Sequence, residues 1–148
     1  MHLMLQNLNQ KAAQSVIQHA LALGAEKYSG KGLSVAVCDR NGFLLAFART
    51  DNARPLSIDL TLRKAYTASR MACSTLAFQQ RLQKENLELA YFGDDKFAAM
   101  PGGSPVFNAE KQLIGAVAIG GISAQEDVEA VDALIGALDE GLRNNLFS

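Results

Sequence analysis

The stretch Pro101 to Asp127, PGGSPVFNAEKQLIGAVAIGGISAQED, confines the fold more than any other, because two glycine pairs bracket two apolar segments and a helix start follows at once. Gly102 and Gly103 can take positive φ and present backbone amides at a turn. Val106 and Phe107 read as a short strand, Asn108 to Gln112 as a polar turn, and Leu113 to Ile119 as a second strand, too short to span a bilayer. These features predict a hairpin with a buried second strand. Gly120 and Gly121 end it, and Ser123 with Glu126 three residues on makes a capping box. The helix that follows has apolar positions Val128, Val131, Ile135, Leu138 and Leu142, a face expected to cover the sheet.

Upstream, Leu5, Leu8, Ala12, Val16, Ala20 and Leu23 recur at helical spacing, and Gly24 is a natural stop. His19 falls at the margin of that apolar arc. It is either a structural histidine or an imidazole at the rim of a helix face, as an axial haem ligand requires. Leu33 to Cys38 and Phe43 to Ala48 are apolar runs joined by Asp39-Arg40-Asn41-Gly42, whose Asn-Gly pair suits a tight antiparallel hairpin. Neither run alternates cleanly, so helices are expected on both faces of the sheet. From about Ser57 a second helix runs with the stripe Ile58, Leu62, Ala65, Ser69 and Ala72. On its flank Asp59, Arg63, Tyr66 and Arg70 form a row that is either a solvated face or a basic wall for a carboxylate ligand. Thr75 to Lys84 carries a further short helix, and Leu87 to Phe97 reads as an irregular or partly helical link.

At 148 residues and 49% hydrophobic content the chain suits one domain over residues 1–148, able to bury about two thirds of its unfolded surface. Fourteen basic and 15 acidic residues leave a net charge of −1, without the basic footprint that nucleic acids or anionic membranes demand. Met1 to Gln6 has neither a basic region nor a small-residue cleavage pattern, so a cytoplasmic location is expected. Cys38 and Cys73 stand far apart without metal-ligand spacing and are expected as free thiols. No nucleophile elbow, phosphate loop, zinc-protease helix or dinucleotide fingerprint occurs.

Arg49, Asp51 and Ala53, the run Lys64 to Ala68, then Gly102, Gly103 and Pro105, Gly115, and Gln125 with Asp127 follow one another in an order that resembles the GlcG/HbpS family over nearly the whole chain. The resemblance implies an α/β (α+β) fold, a profilin-like three-layer sandwich in which a five-stranded antiparallel sheet is flanked by helices. It also implies a homo-oligomer that binds a small molecule, haem or another carboxylate-bearing tetrapyrrole or acid, in the setting of diol, glycerol or glycolate utilisation. Arg49, Asp51, Lys64, Tyr66, Gly102 and Gly103 are then the expected ligand-binding residues, with His19 as the iron ligand. Two alternatives stand beside it. One is an enzyme that acts on a small hydroxy or oxo acid or degrades haem, with Asp51 or Tyr66 moving a proton. The other is a ligand-free accessory scaffold. Thr50, Asn52 and Gly120 depart from the methionine, glycine and serine usual at those places in the family.

Overall fold

The computed structural model describes residues 7–143, with side chains to residue 141. Helix α1 (Gln10–Lys27) starts where the Asn9 side chain accepts a hydrogen bond from the Ala12 amide at 2.8 Å. The hairpin of β1 (Ser34–Asp39) and β2 (Leu44–Arg49) turns at Gly42, whose φ of +90° explains the Asn-Gly pair. Helix α2 (Pro55–Met71) has proline in its first turn, where no amide partner is needed, and α3 (Thr75–Lys84) is capped by Ser74. A 3₁₀ turn (Leu89–Phe92) leads to the second hairpin, β3 (Gly103–Phe107) with β4 (Leu113–Gly120). Helix α4 (Ala124–Arg143) closes the described chain. The expected capping box is present: Ser123 Oγ accepts from the Glu126 amide at 3.1 Å, and the Glu126 carboxylate accepts from the Ser123 amide at 3.3 Å.

The sheet order is β2-β1-β4-β3, antiparallel throughout. Helices α1 and α4 pack together against one face, and α2 lies across the other, giving the three expected layers. The resemblance implied five strands; among the described residues there are four. The link between α3 and β3 supplies no strand, because Asn86 and Gly93 take positive φ and the 3₁₀ turn bends the chain between them. The expected position Leu5 lies outside the described residues, as does the side chain of Leu142.

The two faces of the sheet are built differently. Under α1 and α4, Val35, Val37, Val106, Val117 and Ile119 meet Val16, Ile17, Val131, Leu134 and Leu138 in a core of branched side chains. Under α2 the layer is small: Ala36, Ala116 and Ala118 with Cys38 face Ala65 and Ala68. This thin layer turns α2 away from its expected stripe. The side chains it buries are Ser57, Thr61, Lys64, Ala65, Thr67, Ala68 and Ser69, while Ile58 and Leu62 are only half-buried. A helix can approach a sheet of alanines closely only by presenting small residues of its own. In the row Asp59, Arg63, Tyr66 and Arg70 the two ends are exposed and Arg63 and Tyr66 half-buried, with an Asp59–Arg63 ion pair at 3.0 Å.

Candidate functional site

The sheet end where β4 runs into α4 holds an ionisable pair that the small-residue layer places deep in the fold. Lys64 extends from α2 with 1% of its surface exposed, and its Nζ donates to the carbonyls of Ile119 at 2.6 Å and Pro101 at 3.0 Å. Its third donor meets Asp127 Oδ2 at 3.3 Å, in the first turn of α4. Asp127 Oδ1 in turn accepts from the Ile122 amide at 3.2 Å, so one carboxylate ties the β4–α4 turn to α2. Burial lowers the lysine pKa against the opposing pull of Asp127, and it raises the aspartate pKa against the opposing pull of Lys64. The pair is thereby poised closer in proton affinity than the same groups in water.

Glycines make room for it. Gly102, at φ +119°, passes so near that a side chain there would come to 2.6 Å from Lys64 Nζ and 2.5 Å from the Ile119 carbonyl. Gly120 backs onto the wholly buried Thr61, whose Oγ1 a β-carbon would strike and which has no hydrogen-bond partner. Above the pair opens a cleft of about 620 Å³, solvent at its mouth included, walled by Leu56, Leu60, Met100 and Ile122 and edged by Arg54. The Arg54 guanidinium spends one N–H on the Gly121 carbonyl at 3.3 Å.

The expected ligand-binding residues divide. Lys64, Gly102 and Gly103 meet at this site, but in roles internal to the protein: all three lysine donors are used, and the Gly103 amide donates to Thr75 Oγ1 at 2.9 Å. Arg49 ends β2 and Asp51 lies in the exposed turn after it, where the Arg49 guanidinium donates to the Thr50 carbonyl at 3.2 Å. Tyr66 belongs to a different concavity and donates to Asp94 at 2.6 Å, a bond that raises the tyrosine pKa and lowers that of the aspartate. Arg54 and Thr61 escape sequence reasoning, because a residue before a helix proline and a threonine inside a helix carry no signal of their own. Lys64 does carry one: a lysine among small residues on a buried helix face is costly unless paired.

His19 lies on α1, across the sheet from α2. Its Nδ1 donates to the Ser15 carbonyl at 2.9 Å, which leaves Nε2 of the neutral ring as the free lone pair. Val16, Leu134, Ala137 and Leu138 line a shallow apolar groove beside it that holds only about 10 Å³. With Nδ1 turned to the Ser15 carbonyl, Nε2 is the ring nitrogen left for a ligand. The groove is smaller than the roughly 300–1,000 Å³ of sites that engulf a cofactor. Among the described residues no cluster of three or more histidine, cysteine or acidic side chains could hold a bare metal ion, and no helix is long and apolar enough to cross a membrane. Both cysteines are free, and burial pushes the Cys38 thiol up to about 12.

Residues 8–135 match the model of a family described as haem degrading protein HbpS-like. Protein GlcG of Escherichia coli strain K12 is 30% identical over 114 residues, covering 76% of this chain and 80% of that protein. Among solved structures, a double mutant of Streptomyces reticuli HbpS superposes with a TM-score of 0.77 at 31% identity, over 89% of this chain and 87% of that one. The Klebsiella pneumoniae protein ORFY shares the fold, with a TM-score of 0.79 at 22% identity over 93% of both chains.

Proposed function

The chain belongs to the HbpS-like family, and on that premise we propose that it is a homo-oligomeric haem-binding protein whose iron ligand is His19. The observation that carries this reading is the orientation of the His19 ring, with Nδ1 held by the Ser15 carbonyl and Nε2 free beside apolar Val16, Leu134, Ala137 and Leu138. Haem would supply a redox-active iron, and this chain's part is to orient the imidazole through the Ser15 carbonyl so that Nε2 is left for the iron. The groove is too small to enclose a macrocycle, so the other face would need a second subunit, which supports the homo-oligomer. Lys64 is not a partner for the carboxylates of a haem at His19, since it lies across the sheet with all its donors satisfied.

Titrating the protein with haemin, beside His19→Ala, tests the reading. A saturable Soret shift that the variant loses supports it; a flat titration, or an equal shift in the variant, sinks it. Adding a reductant in air to the loaded protein separates binding from degradation, since a stable Soret band belongs to a carrier and a decaying one to an enzyme.

A further inference from the structure

The cleft over the Lys64–Asp127 pair is separate from the His19 groove and takes no part in haem ligation. Its charges are one unpaired cation, Arg54, above an internally neutralised pair. Its walls are apolar, with Leu56 76% and Met100 44% exposed although both border a concave surface. Its floor is the buried Lys64–Asp127 pair beside Gly120. A guanidinium carries five N–H donors in a planar fork, and Arg54 has one of them on the Gly121 carbonyl, which holds it at the cleft edge with donors to spare. A buried ion pair is weak as a device for stability, and apolar residues would fill the same space at less cost.

We propose that this cleft binds a small monocarboxylate with an apolar body, its carboxylate on Arg54 and its chain between Leu56, Leu60, Met100 and Ile122. Charge selects the head group. A net charge of +1 in the cleft, from Arg54 beside the mutually neutralised Lys64 and Asp127, fits one carboxylate. The apolar walls select a tail over a compact inorganic anion.

The test uses the full chain with butyrate as probe, and butylamine, butanol and sodium chloride at matched ionic strength as controls. Thermal shift and calorimetry are run on the wild type, Arg54→Gln, Met100→Ala, His19→Ala and Arg49→Gln. The expected result is a saturable rise in melting temperature with butyrate alone. Arg54→Gln should weaken it at least tenfold and Met100→Ala by a smaller factor, with Arg49→Gln and His19→Ala unchanged. Arg54 and Met100 are exposed, so these variants keep the fold. The proposal is overturned if butyrate gives no saturable shift, if chloride or butanol matches it, or if Arg54→Gln binds as the wild type does. A loss in His19→Ala would also overturn it, since that would place the acid in the groove of the haem reading; failure to bind haemin leaves it standing.

Discussion

At the scale of single residues, Lys64 and Asp127 concentrate the tension between stability and function. Each is buried, each is held in its charged form chiefly by the other, and each also satisfies backbone groups that nothing else reaches. Lys64→Met keeps the length of the side chain and leaves the Asp127 carboxylate buried without a cation. Such a variant should lose about 3–5 kcal/mol in urea unfolding at neutral pH. Adding Asp127→Asn removes the stranded charge while keeping an oxygen for the Ile122 amide, so the double variant should be more stable than Lys64→Met alone. The sign of the pH effect follows. Without Lys64 the aspartate pKa in the fold rises further above its unfolded value, so the folded state holds the extra proton and stability is lost as pH rises through that window. The deficit of Lys64→Met relative to wild type should therefore shrink in acid. A double variant no more stable than the single, or a deficit independent of pH, would show that the pair is not coupled as the geometry requires.

Elements explain which parts of this arrangement are legible in the sequence. The first hairpin, the capping box of α4 and the Asp59–Arg63 pair on α2 can be read directly, because Asn-Gly, Ser-x-x-Glu and i,i+4 charges act within a few residues of themselves. The buried face of α2 cannot. Its own pattern favours Ile58 and Leu62, and only the alanines of β1 and β4 on the far side of the contact make Thr61, Lys64 and Ala68 the inward residues. The candidate site inherits that difficulty, since Lys64, Gly102 and Asp127 are named by resemblance while Arg54 and Thr61 become visible only after three elements meet. If the small layer sets the approach of α2, enlarging it should cost far more than enlarging the surface. Ala68→Leu, at a position with no exposed surface, should destabilise by about 3 kcal/mol through overpacking, the upper part of the usual range. Ala137→Leu, on the exposed side of α4, should stay within about 0.5 kcal/mol of wild type. Equal effects in chemical denaturation would mean that α2 does not sit as tightly as its alanines imply.

Among the described residues the sheet ends in two edge strands, β2 and β3, with Phe43, Leu44 and Phe107 among the exposed large apolar side chains beside them. At the start of β2, Phe43 in the turn and Leu44 in the strand are 65% and 55% exposed, next to a bulge where Leu45 has no partner on β1. A strand edge that carries apolar side chains invites another chain, and proteins that remain monomeric usually cover or charge it. Here neither device is present on Phe43 or Leu44, which favours an interface with a second copy of the chain. β3 offers a weaker case: Phe107 is 39% exposed, and Asp139 of α4 borders the same groove. Sedimentation of the wild type should then give a mass that is a multiple of 15.9 kDa. Phe43→Lys with Leu44→Lys should lower it, because placing like charges opposite one another across a two-fold contact costs what the apolar pairs contributed. Phe107→Lys, at the other edge, should leave the mass unchanged. A wild-type mass of 15.9 kDa would remove the second subunit that the shallow His19 groove requires, and the haem reading would then have to be rebuilt on a site that one chain can close.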